Sequence, residues 1–174
     1  HDGSIYITGP TDGHLDNQIN NGGDDIFLSK LNSNGEKQWT RLLGSTSDDS
    51  GIGIATKNDD SIYITGYTRG NLDGQINSGR SDAFISKFNS DGDQQWTNLL
   101  GSALSDQSKG IATGTGTDDS IYITGYTFGN LDDQINRGEE DAFISKFFSN
   151  GDKHWTALLG SSSFDKGKQI TTTK

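Results

Sequence analysis

Ser61-Ile-Tyr-Ile-Thr-Gly-Tyr-Thr68 decides the fold. Its Ile, Tyr and Thr residues suit a pleated, half-buried strand, and polar or glycine-rich residues bound it on both sides. The first six residues of this stretch occur three times, as Ser4–Gly9, Ser61–Gly66 and Ser120–Gly125. The copies start 57 and then 59 residues apart. Trp39, Trp96 and Trp155 keep the same spacing, as do the Leu-Leu-Gly triplets ending at Gly44, Gly101 and Gly160. The two extra residues of the second interval fall in the Gly/Thr-rich stretch Thr113–Asp119. Self-similarity at a fixed period marks a repeat architecture.

Outward from that segment, each repeat holds four short β-type runs. In the middle copy they are A (Gly53–Thr56), B (Ser61–Thr68), C (Asp82–Phe88) and D (Gln95–Leu100). No run shows a helical apolar period. Asn34-Gly35, Asp91-Gly92 and Asn150-Gly151 mark tight C–D turns and supply the positive φ of a hairpin. Four antiparallel strands per repeat predict an all-β fold of propeller blades, three four-stranded repeats in a single domain over 1–174. The repeat units are approximately 1–56, 57–113 and 114–174.

Composition narrows the partners. With 24 Asp and Glu against 14 Lys and Arg, the formal charge of −10 disfavours nucleic acid, which needs clustered cations, and anionic lipid likewise. No apolar run approaches the roughly 20 residues of a spanning helix, so membrane insertion is not expected. Ile, Leu and Phe supply 36 of 174 residues and Val none, close to the disorder boundary, so the regular clustering of those residues carries the argument for a fold. There is no Cys, which removes disulfides and thiolate chemistry. There is no Met either, and the chain opens inside a repeat at His1, which reads as a processed or partial sequence with any signal peptide upstream.

The run Ser-Ile-Tyr-Ile-Thr-Gly-Tyr-Thr, then Gly-Asn-Leu-Asp-Gly-Gln-Ile-Asn-Ser-Gly, Asp-Ala-Phe-Ile-Ser-Lys-Phe, Asp-Gly and Gln-Trp-Thr resembles the bacterial β-propeller repeats known as SBBP repeats. The resemblance spans essentially the whole chain. It implies a propeller and a place in large secreted or surface proteins of bacteria, hence an extracellular or cell-surface location. It brings no catalytic motif. The family's name implies seven blades, and three repeats stand here.

Antiparallel order puts the B–C loop and the D-to-A crossover at one end of each blade. The B–C loops Leu15–Asn20, Leu72–Asn77 and Leu131–Asn136 are the candidate binding face, through Asp16, Asn20, Asp73, Asn77, Asp132 and Asn136. With Asp25, Asp82 and Asp141, which open strand C, the three loop aspartates form an oxygen-rich set suited to Ca²⁺. The competing reading is Asx turns that bond the loop's own backbone, and it is favoured because such turns are general. The Trp residues are read as inter-blade core in preference to sugar platforms. Lys30, Lys87 and Lys146 are read as snorkelling charges or carboxylate partners.

No catalytic set stands out. Histidine occurs at positions 1, 14 and 154 without a local nucleophile, and the pairs Asp59/Asp60 and Asp118/Asp119 read as solvated turns rather than general acids and bases. The leading function is a secreted or surface binding or scaffold module that offers repeated polar loops to a protein or carbohydrate. A structural spacer within a larger propeller is the alternative, and a metal-dependent hydrolase or lyase the minor one. Three blades do not close a ring. The expected state is a homo-oligomer, for instance two copies in a six-bladed ring with an A strand at Gln169–Thr173 completing the partner's first blade, or neighbouring blades from the same polypeptide. Ile5, Ile7, Ile62, Ile64, Ile121 and Ile123, Phe27, Phe84 and Phe143, and the three Trp residues are the expected core.

Overall fold

The computed structural model describes residues 3–173. Eleven strands run in chain order: β1 (Ile5–Thr11), β2 (Asp25–Leu31), β3 (Lys37–Leu43), β4 (Asp49–Thr56), β5 (Ile62–Thr68), β6 (Asp82–Phe88), β7 (Gln94–Leu100), β8 (Asp106–Thr113), β9 (Ser120–Thr127), β10 (Asp141–Phe148) and β11 (Lys153–Leu159). They form antiparallel meanders β1-β2-β3, β4-β5-β6-β7 and β8-β9-β10-β11, with no helix among the described residues. The fold is all-β and built of propeller-like blades. The first sheet holds three strands rather than four, because no A strand lies before β1 among the described residues.

Strand A starts at Asp49, four residues before the apolar run that announces it, because its first residues are Asp, Ser and Gly. The sheets therefore run from A to D, one strand out of phase with units counted from strand B. The C–D connection also differs in kind from a two-residue hairpin. Gly35, Gly92 and Gly151 take φ of 81°, 81° and 97°, whereas Asn34, Asp91 and Asn150 do not take positive φ. Asn32 N–H reaches Glu36 O (2.9 Å) and Gly35 N–H reaches Asn32 O (3.0 Å), a turn closed by a glycine bulge.

Blade packing follows from the two-residue period of a strand. In β5, Ile62 and Ile64 face the first blade, in a cluster with Ile26, Leu28, Phe84 and Phe88. Tyr63 faces the third blade, in a cluster with Ile85, Ile121, Ile123, Phe143 and Phe147. Both faces of the middle blade are thus covered, which is why β5 and β6 are buried almost throughout. A fully buried Ile contributes roughly 1.5–3 kcal/mol.

The expected core fails at the ends of the array. Ile5 and Ile7 are 47% and 46% exposed, while their counterparts Ile62, Ile64, Ile121 and Ile123 are at 0%. At the opposite end Trp155 is 39% exposed and Leu159 and Phe164 more so. Trp39, Trp96 and Phe27 are half-buried. At the two ends the physical reason is the same: the faces that carry Ile5, Ile7 and Phe27, and Trp155, Leu159 and Phe164, have no neighbouring blade among the described residues, whereas Trp39 and Trp96 do pack against the next blade.

Gln169–Thr173, expected as an A-type strand, forms none. The segment lies beside β8, where Thr172 Oγ1 donates to Thr113 O (2.7 Å), and just before it Gly167 N–H donates to Gly125 O of β9 (3.0 Å). It occupies the place that β8 takes beside β4, and no B strand pairs with it among the described residues.

Candidate functional site

The B–C loops are small hairpins set at one end of the blades. Leu15 and Gln18 exchange both backbone hydrogen bonds, as do Leu72 with Gln75 and Leu131 with Gln134. The two residues between them take positive φ: Asp16 and Asn17 at 51° and 62°, Asp73 and Gly74 at 51° and 76°, Asp132 and Asp133 at 49° and 62°. That is a two-residue hairpin turn, and Asp, Asn and Gly are the residues that tolerate it. Each loop's Leu plugs toward the blades, with Leu72 and Leu131 at 0% exposure.

The asparagines are spent on the loop itself. Asn77 Nδ2 donates to Thr68 O (3.0 Å), and its Oδ1 accepts from Gly79 N–H (2.9 Å). Asn136 repeats this with Thr127 O and Gly138 N–H, and Asn20 with Thr11 O and Gly22 N–H. The backbone N–H of each is taken by the side chain six residues earlier: Asn71 Oδ1 (3.0 Å), Asn130 Oδ1 (3.0 Å) and, in the first blade, His14 Nδ1 (3.1 Å). His14 thus does the work of an asparagine. His154 stacks on Phe148 at 4.9 Å, and His1 lies outside the described residues.

The aspartates divide into two groups that the fold keeps apart. Asp16 accepts from Lys37 Nζ and Thr40 Oγ1, and Asp132 from Lys153 Nζ and Thr156 Oγ1. Asp73 accepts from Gln94 Nε2 (2.7 Å). The Lys37 bond, then that of Thr40, holds the Asp16 carboxyl below its usual range. Asp25, Asp82 and Asp141 turn inward instead and are at most 1% exposed. Each caps the loop by accepting a backbone N–H four residues back, from Asn21 (2.9 Å), Ser78 (2.8 Å) and Arg137 (2.9 Å). Burial raises the Asp25 and Asp82 carboxyls, against the pull of those N–H groups. Gly44, Gly101 and Gly160 lie so close that a side chain there would strike the Asp25, Asp82 and Asp141 carboxylates. Among the described residues no three acidic or imidazole groups converge on a point where they could hold a metal.

The carboxylates of the A–B turns are also engaged. Asp59 and Asp118 each accept the N–H two residues on, from Ser61 and Ser120, both at 3.1 Å. Asp119 is bonded by Lys57 and Ser149. These donors hold Asp118 and Asp119 below the usual carboxylate range, the reverse of what a general acid needs. Lys30 and Lys87 bond the turn of the next blade, at Ser90 O (3.4 Å) and Ser149 O (3.2 Å), while Lys146 faces Asp118 at 4.0 Å.

The loops also carry a feature that a polar reading passes over. Ile19, Ile76 and Ile135 follow the turn in Gln-Ile-Asn and are 70%, 77% and 72% exposed. An Ile at the same loop position in every copy was the signal.

A repeated four-stranded blade with its loops gathered at one end defines a β-propeller module. Residues 38–73, which run from strand D of one blade through strands A and B of the next into the B–C loop, match the β-propeller repeat (SBBP) family. The regulatory protein FlaEY of Caulobacter vibrioides is 29% identical over 177 residues, covering 91% of this chain and 18% of that protein. The chain therefore spans less than a fifth of the length of that relative. No helix among the described residues is long and apolar enough to cross a membrane.

Proposed function

We propose that this chain is a non-catalytic β-propeller binding module that docks a protein partner on its loop-bearing end. The carrying observation is one isoleucine per blade, held 70–77% in water on a loop whose asparagines are already bonded to backbone. A rigid apolar tip loses little conformational freedom when covered, and full burial of an Ile is worth about 1.5–3 kcal/mol. The aliphatic tips favour protein over carbohydrate, since Trp39 and Trp96 are packed toward neighbouring blades instead of facing out. Asp16, Asp73 and Asp132 would form the polar rim. A relative named as a regulatory protein fits a binding role. The repeat resemblance supports the reading that the module works at the cell surface or outside the cell.

A spacer role is the second reading, and the apolar end faces favour it. Ile5 and Ile7 at one end and Leu159 and Phe164 at the other would be covered by further blades, from a second copy or from elsewhere in a longer polypeptide. A photo-crosslinking residue at position 76 separates the two readings. The binding role requires a specific adduct in intact cells that position 60, at the opposite end of the blade, does not give. No adduct from the loop end leaves the spacer.

A further inference from the structure

The inner strands carry one departure from the repeat. β4 and β8 each bulge one residue out of register, and that residue is Ile52 in β4 but Lys109 in β8. Lys109 Nζ lies between two blades, 5.7 Å from the ring centre of Tyr67 and 5.5 Å from that of Tyr126. It donates to Gln107 Oε1 (2.9 Å), which also accepts from Tyr126 Oη (2.8 Å). On Tyr126 a second cation sits at 4.5 Å, Lys166, which is already neutralised by Glu140 at 2.6 Å. Among the described residues Lys109 is in no ion pair.

In a chain of net charge −10, a half-buried ammonium without a carboxylate is an electrostatic mismatch. Burial, and then the like charge of Lys166, push the Lys109 ammonium below its ordinary value. A groove of ≈ 400 Å³ beside it has Lys109 in its lining, with Gly53, Ile54, Ile111, Gln169, Ile170 and Thr171. That volume is in the range of small-molecule sites. Ile54 and Ile111 offer an apolar wall, while Gly110 is packed against the backbone of Lys168–Ile170.

We propose that this inner groove binds a small carboxylate-bearing molecule, its carboxylate taken by the ammonium of Lys109 at the groove's edge. One uncompensated positive charge matches a monoanion, and a phosphate dianion would bring one charge too many. The site is independent of the isoleucine tips, and either reading can fail without the other.

The test is titration of the ¹⁵N-labelled chain with glucuronate and, separately, with inorganic phosphate, followed by amide shifts. Saturable shifts at Lys109–Ile111 with glucuronate are expected, at least tenfold weaker in affinity for Lys109→Gln and Lys109→Met and unchanged for Lys57→Gln. Two charge-removing variants guard against a folding defect in one, and amide dispersion reports their fold. Absence of saturable shifts, equal binding by the Lys109 variants, or phosphate binding as tight as glucuronate would overturn the assignment.

Discussion

Trp96 donates its indole N–H to the carbonyl of Ser149 on the next blade, at 3.2 Å. The same indole lies against Gly151, whose missing side chain lets the turn close over the ring. Trp39 meets Gly92 in the same way one blade earlier. Asn98 Nδ2 adds a bond to Gly151 O (2.7 Å), and Arg41 bonds Asp91 O (2.9 Å) at the earlier junction. Blades are therefore joined through an aromatic side chain on strand D and the C–D turn that follows it.

Trp96→Ala should cost roughly 3–5 kcal/mol, the usual cost of emptying a large aromatic site. Trp155→Ala should cost much less in this chain, since Trp155 is 39% exposed. Urea titrations of the two variants check the difference, and equal losses would refute the inter-blade role.

Stability should rise as pH falls from neutral. Burial raises the Asp49, Asp82 and Asp106 carboxyls above 3.8, so the folded chain takes up protons more readily than the unfolded one. That contribution is complete below about pH 3.8 and is lost as pH rises through the raised values. Asp16, Asp118, Asp119 and Asp165 are shifted the opposite way, but they lie at the surface where solvent screens them. Asp82→Asn keeps an acceptor for the Ser78 N–H and removes one titrating charge. Melting temperature against pH should slope less steeply in that variant, and an unchanged slope would show that Asp82 does not titrate as its burial implies.

The repeat, the strand order and the loop-bearing end were legible in the sequence, because Ile, Phe, Tyr and Trp recur at the two-residue period a blade imposes. What was hidden depends on neighbours. Ile5 and Ile62 occupy the same repeat position, and only the presence of a blade beside Ile62 buries it. Asp16 and Asp25 look alike as oxygen donors, yet a two-residue turn holds one beside Lys37 while the other opens a strand and turns inward. Ile76 reads as a minor residue in a polar loop until Leu72, not Ile76, is seen to fill the space beneath it.

Asn77→Ala should loosen its loop, because Thr68 O loses its donor and Gly79 N–H its acceptor. The expected cost is about 1–3 kcal/mol, with faster amide exchange at Gly79. Asp73→Ala, which removes one exposed bond to Gln94, should leave exchange at Gly79 unchanged. Equal effects would mean that the asparagine does not brace the loop.

Calcium should not be required to build these loops, since Asp16 and Asp132 are held by Lys37 and Lys153 and the asparagines by backbone. Melting temperature should therefore be the same with chelator and with millimolar Ca²⁺. A rise with Ca²⁺ that Asp73→Asn weakens would restore a metal to the loop end.

The most direct test of the account is partner retention by the loop end. The triple variant Ile19→Ser, Ile76→Ser, Ile135→Ser is compared with a control triple at the opposite end, Ser33→Ala, Ser90→Ala, Ser149→Ala, after circular dichroism shows both folded. Each is measured by titration against the protein identified by crosslinking at position 76. The account predicts at least a tenfold loss of affinity for the isoleucine triple and none for the control; equal affinity in the isoleucine triple would contradict it.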